Sequence, residues 1–244
     1  MQKYSTTNKN HFRSHVRPLV STAKPVYSGI AMVEVHFSNV DTRHPQISKL
    51  VGRGTMIALA DNKGLLTQRN GCNSIRVYIT FRAAENWLSE SKIDFSQPEQ
   101  VRSYFLDLFS GWNDDLLDFI RLGDDQFIPR LIYALPTGHS WQTKPGVTLL
   151  GDAAHVMSPF AGEGVNLAMI DATELALAIV NSTTENLTNA IQEFEQKMCA
   201  RAREAAEESA RNLELFISPD NSAEKVADLF KTMMATVGAM KAEN

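Results

Sequence analysis

Apolar and polar residues alternate from Val26 to Phe37 (VYSGIAMVEVHF), with Val, Ile and aromatic side chains prominent, and this period of two predicts a strand. The same pattern predicts strands over Gly54–Ala60, Gly64–Gln68 and Ile75–Arg82. Asp61-Asn62-Lys63-Gly64 and Asn70-Gly71-Cys72-Asn73 lie between them and carry the residues that hairpin turns require. Connections this short join antiparallel neighbours, so the first half of the chain reads as an antiparallel sheet. Helical spacing then takes over across Gln97–Trp112, with Val101, Phe105, Leu108 and Phe109 as its apolar face, Pro98 in its first turn, Ser96 as cap and Glu99 as a favourable charge. Asn113 opens a second short helix that Gly123 ends, and Phe127–Tyr133 reads as a strand, at a sheet edge because of Pro129. After a turn at residues 143–146, Val147–Leu150 is predicted as a short buried strand. From Val165 the period becomes helical again, with Val165, Ala168, Met169, Ala172, Leu175, Ala176 and Ile179 as one buried face. Two further helices follow. One begins at Thr184-Glu185-Asn186, with Ile191, Phe194, Met198, Ala202, Ala205 and Leu213 as its stripe. The other covers Ala223–Met240, where Val226, Leu229, Phe230, Met233 and Met234 suggest core or helix docking.

Composition narrows the class. Of 244 residues, 43% are apolar, enough for a core in one large or two small domains, and the formal net charge is −4 without a basic block. That balance argues against a nucleic-acid or anionic-membrane surface. No apolar run reaches bilayer-spanning length, and the polar amino terminus lacks the apolar stretch of a secretory signal. Cys72 and Cys199 share no metal or redox spacing and read as free thiols of a reducing compartment, which points to the cytoplasm. Residues 1–15 read as a disordered or foreign tail, and His11 and His15, four apart without a third ligand, support no metal site.

The chemistry concentrates in Val147–Ala172 (VTLLGDAAHVMSPFAGEGVNLAMIDA). An acid, Asp152, sits at the mouth of a loop after an apolar run, and Gly162 and Gly164 flank Glu163 just before a helix. Glycines allow close backbone approach, and the unpaired N–H groups that open a helix favour electron-rich atoms. By spacing alone, an ordinary loop with turn glycines is an equal reading. The GDAAH, the Pro, the GxGxN and the following Asp171 resemble the second flavin motif of the FAD-dependent aromatic-ring monooxygenases of the p-hydroxybenzoate hydroxylase type. Within them the chain looks most like the tetracycline-inactivating flavin monooxygenases. The resemblance implies that Asp152 binds the ribityl chain of FAD, that Pro159, Gly162, Gly164, Val165 and Asn166 lie against its ring, and that Gly151 is a further cofactor-binding residue. Two residues depart from the family: Ser158 replaces the first Pro of a pair, and Glu163 replaces a frequent Gln, placing negative charge near the flavin.

Ser14-His15-Val16-Arg17-Pro18 resembles the end of another family motif, whose Asp-Gly pair is replaced here by Asn10-His11. The dinucleotide-binding GxGxxG unit expected of the family is absent; Gly52-Arg53-Gly54, with Ile57 in the third position, is the nearest match. The expectation is therefore a truncated or rearranged member, for which a missing amino-terminal FAD-binding segment would be a partner.

Inside the strands, Glu34 shares a face with Met32 and His36, and Arg76 with Tyr78 and Thr80. Either residue could point to solvent or, as resemblance to the tetracycline-inactivating enzymes implies, line a substrate cavity; Met233 on the last helix is a further substrate contact by the same resemblance. His155 reads as a hydrogen-bonded structural histidine, and Gly138-His139-Ser140-Trp141-Gln142 lacks the second Gly of a hydrolase nucleophile turn. No residue is assigned a catalytic role.

The expected fold is α/β (α+β): a sheet-based substrate domain over residues 16–136, the carboxyl part of an FAD domain over 137–182 and helices over 183–244. The function implied is an FAD-dependent monooxygenase, drawing on NAD(P)H and O₂ to hydroxylate a polycyclic or phenolic small molecule, with tetracycline-like compounds among the candidates. The alternatives are an inactive ligand-binding remnant and a superfamily reductase or dehydrogenase.

Overall fold

A computed structural model of the chain describes residues 14–242, with side-chain environments through residue 235. Most of the expected tail, including Asn10 and His11, lies outside the described residues. Five strands form one sheet: β1 (Val26–Phe37), β2 (Thr55–Ala60), β3 (Lys63–Asn70), β4 (Ser74–Arg82) and β5 (Ile128–Ala134), in the order β2-β3-β4-β1-β5. The pairs β2/β3, β3/β4 and β1/β4 are antiparallel. Asp61 and Asn62 both adopt positive φ between β2 and β3, as a two-residue turn matching strand twist requires, and Cys72 and Asn73 do so between β3 and β4. Pro129 lies in the edge strand β5, where a missing N–H breaks no ladder.

Helices α1 (Val40–Arg43) and α2 (Pro45–Val51) connect β1 to β2, and α3 (Trp87–Glu90), α4 (Pro98–Leu108) and α5 (Asp114–Arg121) connect β4 to β5. They are followed by α6 (Asp152–His155), α7 (Gly164–Val180), α8 (Leu187–Phe216) and α9 (Ser222–Ala242). The chain divides into two compact units. Among the described residues, one holds the chain up to Ser28 together with Ile132–Leu213, and the other holds Gly29–Leu131 together with the chain from Glu214. No helix among the described residues is long and apolar enough to cross a membrane.

In the second unit, period-two alternation sends Ala31, Val33, Val35 and Phe37 of β1 and Ile75, Val77, Ile79 and Phe81 of β4 to one face of the sheet. They are buried with Val101 and Phe105 of α4 and Leu117, Phe119 and Ile120 of α5. Each such aliphatic or aromatic side chain contributes about 1.5–3 kcal/mol through burial. Phe105 anchors an aromatic cluster, with ring centroids 5.6 Å from Phe81, 5.2 Å from Tyr104 and 6.4 Å from Trp87. Asn113 caps α5 by accepting the Asp115 N–H at 2.9 Å.

In the first unit, Leu149 and Ala154 pack with Phe194 and Met198 of α8. The stripe expected on α8 is otherwise buried at Ala202, Ala205 and Leu213.

Four expectations are corrected. Residues 147–150 are not a strand: among the described residues only an isolated Lys144–Val147 bridge touches the run, and its apolar character is accounted for by burial of Leu149. On α7 the buried side is Leu167 and Asp171, with Leu175 and Ala178 packed beside the Phe194–Met198 cluster, whereas Val165, Met169, Ile179 and Ala172 are exposed. This helix is apolar almost all round, so its period marks no unique face, and a buried carboxylate that needs partners selects one. Ser96 does not cap α4; its hydroxyl bonds Asp94 Oδ1 at 2.7 Å, and Gln97 occupies the cap position without a side-chain bond. On α9 only Val226 of the expected stripe is buried, while Phe230, Met233 and Met234 face solvent.

Candidate functional site

The glycine-rich stretch turns twice. Gly151 has φ +56°, and a Cβ there would come within 3.3 Å of the Ala168 Cβ, so both its conformation and the approach of α7 favour glycine. The single turn α6 follows, with the Ala154 and His155 N–H groups bonded to the Gly151 carbonyl. Pro159–Ala161 form a 3-10 turn that Gly162, at φ +72°, closes in the left-handed region. Gly164 then opens α7, whose first hydrogen bond, Leu167 N–H to Glu163 O, leaves the preceding N–H groups without helical acceptors. A Cβ built on Gly162 or Gly164 would meet nothing within 4 Å, so the turn is an open backbone cradle at the end of a 17-residue helix. Asp152 stands exposed at the head of α6, Val165 and Asn166 are exposed in the first turn of α7, and Asn166 Nδ2 donates to Glu163 Oε2 at 3.3 Å.

Buried polar groups hold this loop. Arg17, 4% exposed, donates from Nε to the Ala153 carbonyl at 2.7 Å and from Nη2 to the Asp152 carbonyl at 2.9 Å. Burial pushes the Arg17 guanidinium below its usual pKa, while the Asp152 charge acts to raise it. Asp171, 1% exposed, accepts the Gly151 N–H at 3.0 Å and His155 Nε2 at 2.6 Å, and pairs with Arg201 Nη2 at 3.4 Å. His155 is therefore hydrogen-bonded as expected, to a carboxylate rather than to backbone. Arg17 and Asp171 are the positioning residues that local pattern alone misses. Their signal was the Ser-x-Val-Arg fragment and the Asp that follows GxGxN.

In the hydrolase-like fragment, Ser140 is exposed and His139 is a structural link, with Nδ1 donating to the Ala154 carbonyl at 2.8 Å and Nε2 lying 2.9 Å from Ser21 Oγ. Burial first, then the charges of Arg17 and His155, hold the His139 pKa below the usual imidazole value, against a hydrogen bond to Ala154 that raises it.

On the second unit's sheet, the face opposite the core carries a polar grid. Glu34 pairs with Tyr78 and His36 with Arg76 between β1 and β4, while Gln68 pairs with Arg76 and Leu66 with Tyr78 between β3 and β4. Glu34 is only 5% exposed, and both its oxygens are engaged. Oε2 accepts from Arg130 Nε and Nη2 at 2.9 and 2.7 Å, and Oε1 lies 2.8 Å from His36 Nε2 and 3.2 Å from Arg76 Nε. Arg130 is the member that sequence pattern missed; its signal was a lone charge in an otherwise apolar strand. Burial alone would raise the Glu34 pKa. The hydrogen bonds from His36 and Arg130 and the charges of Arg130 and Arg76 outweigh it and hold the carboxyl below its usual value. A depressed folded-state pKa contributes stability that is present at neutral pH and is lost as pH falls through the folded pKa. Glu34→Gln should therefore lower stability at pH 7 and narrow the gap to wild type in acid, as read by urea midpoints across pH. Met233, by contrast, is an exposed residue of α9 and has no described contact with this grid.

Residues 139–209 match the FAD binding domain family, a span that includes the loop, the cradle and α7. Monooxygenase asqM of Emericella nidulans is 29% identical over 91% of this chain, which spans 60% of that relative's length. The chain is similar to FAD-binding monooxygenases. Among solved structures, Klebsiella pneumoniae HpxO complexed with FAD and uric acid superposes with TM-score 0.72 at 17% identity, covering 91% of this chain and 54% of that one. Tetracycline destructase Tet(55) superposes with TM-score 0.59 at 17% identity, covering 87% and 54%. At these identities the structural likeness establishes the fold alone.

Proposed function

We propose that this chain binds FAD at the Gly151–Asn166 loop and serves an NAD(P)H- and O₂-dependent hydroxylation of an aromatic or polycyclic small molecule. The observation that carries this reading is the open cradle of Gly162 and Gly164 at the start of α7, beside an exposed Asp152 whose loop is fixed by Arg17 and Asp171. The donor set fits the cofactor. Asp152 would accept hydrogen bonds from ribityl hydroxyls. The N–H groups of Gly164, Val165 and Asn166 would face electron-rich ring atoms, helped by the helix dipole. Gly151 and Pro159 would set the two turns that bring these groups together. When bound, FAD supplies the redox chemistry and activation of O₂, and the protein supplies orientation and backbone donors. Glu34 and Arg76 belong to the substrate face in this reading, and Met233 is an additional apolar contact. Tetracycline is one substrate to assay, on the fold likeness to Tet(55).

Asp152→Ala removes the ribityl acceptor. Hydrogen bonds to a charged group contribute about 1.5–3 kcal/mol, so FAD affinity should fall roughly 10- to 100-fold, as read by quenching of flavin fluorescence. An unchanged affinity would remove Asp152 from the site.

A second reading is favoured by α7. Val165, Met169, Ile170, Leu177, Ile179 and Val180 are between 42% and 73% exposed, a large apolar surface for one helix. It supports a complex in which further polypeptide, corresponding to the length of the relatives that this chain does not match, covers α7 and tightens FAD. Supplying that segment in trans should then raise FAD affinity, and no gain would argue against it.

A further inference from the structure

We propose that Ser209 and Asn212 of α8 are positioning residues of the glycine-rich loop. With Ser158 they form a clasp that fixes the Pro159–Ala161 turn, so that FAD meets a preformed cradle. This deepens the reading of Gly151–Asn166 as the cofactor loop and rests on it.

Ser158 and Ser209 are 5% and 1% exposed, and their hydroxyl oxygens lie 2.6 Å apart. The Ser209 hydroxyl donates to the Ser158 carbonyl at 2.5 Å, which leaves its oxygen free to accept the Ser158 proton. Each buried hydroxyl thus satisfies the other across 51 positions of chain. Asn212, three residues on and therefore on the same face of α8, donates from Nδ2 to the Phe160 carbonyl at 3.1 Å. The ties at Ser158 and Phe160 bracket Pro159. Only Ala161 then separates the clasp from Gly162, whose N–H closes the turn on the Pro159 carbonyl at 3.1 Å. A helix hydroxyl with no such task behaves differently: Thr173 and Thr232 turn theirs back on the carbonyls of Met169 and Asp228, four residues earlier. Ser209 instead projects from the buried stripe of Ala202, Ala205 and Leu213 toward the loop. The turn it holds is exposed at Pro159, Gly162 and Glu163, so packing alone does not fix it. Holding a loop in its bound shape raises affinity by lowering the cost of ordering it. The backbone of Ser158 already has φ −65°, the value to which a proline ring would lock it, and its N–H has no acceptor among the described residues.

The test is amide hydrogen exchange of the full chain without FAD, together with FAD titration followed by flavin fluorescence. Ser209→Ala and Asn212→Ala should each speed exchange of the Gly162 amide about tenfold and weaken FAD about tenfold, the effect of a lost hydrogen bond that leaves its partner unsatisfied. Ser158→Ala combined with Ser209→Ala leaves no orphan hydroxyl, so the melting temperature should return close to wild type while FAD stays weakened. Ser158→Pro combined with Ser209→Ala fixes the backbone without either hydroxyl and should bring FAD affinity back to within about threefold of wild type. A merely structural pair would move melting temperature and FAD affinity together. Wild-type FAD affinity in the folded double alanine variant, or Gly162 exchange unmoved by Ser209→Ala, would overturn the proposal. A wild-type chain that leaves flavin fluorescence unchanged, with Gly162 exchange still accelerated by Ser209→Ala, would refute the flavin reading and leave the clasp standing. Flavin binding of equal strength in every variant would do the reverse.

Discussion

Asp171→Ala is expected to destabilise the protein by about 3–5 kcal/mol, the range for removing one partner of a buried charged pair. The loss has identifiable parts. The Gly151 N–H and His155 Nε2 both point at Asp171 Oδ2 inside the protein, at 3.0 and 2.6 Å, and both would lose their acceptor. Leaving a buried donor unsatisfied costs about 1–3 kcal/mol. Arg201 suffers least, because it keeps a two-point pair with Glu174 at 3.0 and 2.7 Å. Since the broken bonds hold the Gly151 turn, FAD affinity should fall as well, although Asp171 itself is buried. Asp171→Asn retains one acceptor oxygen and should lose less. Urea denaturation followed by circular dichroism measures the change. A loss below about 1 kcal/mol would mean the network is dispensable, since ordinary hydrogen bonds are worth that much.

Phe105→Ala should cost about 3–5 kcal/mol, as truncation of a fully buried aromatic generally does. Phe105 is 0% exposed and touches three other aromatic rings from α4, β4 and α3, so collapse around the cavity is resisted from several sides. The effect belongs to the unit built on Gly29–Leu131, and the Gly151–Asn166 loop lies in the other unit. Unfolding followed by near-ultraviolet circular dichroism should therefore show the aromatic transition shifted to lower urea. FAD affinity at low urea should stay within about twofold, as expected for independent sites. Loss of FAD binding in a folded Phe105→Ala protein would show that the two units are coupled.

These expectations draw on features that differ in how far they could be read along the chain. The strands and their turns were legible because period-two alternation and the positive-φ preference of Asp61-Asn62 and Cys72-Asn73 are local properties. The edge position of β5 followed from Pro129 for the same reason. The site was legible as a glycine-rich turn before a helix. What that turn hangs from was not, because Arg17 reaches Asp152 across 135 positions and Asp171 reaches Gly151 across 20. Likewise Glu34 and Arg76 could be placed on one side of their strands. Only the fold brings Arg130, 96 positions from Glu34, to the same carboxylate and turns a possible solvent charge into a shared pair. The errors have the same origin. Residues 147–150 carry strand composition, but a strand is defined by a neighbour; α7 is apolar on every side, so only the burial of Asp171 says which side faces in. Ser96 is a good cap by type, yet Asp94, two residues away, captures its hydroxyl.

The most direct test of the account is the visible absorption spectrum of the purified chain during titration with FAD. The chain should give a saturable, protein-induced shift of the flavin bands that Asp152→Ala weakens and that persists in Arg130→Gln. A chain with native circular dichroism that leaves the flavin spectrum unchanged at every concentration would contradict it, because the cradle of Gly162 and Gly164 would then be a helix-opening turn without a ligand.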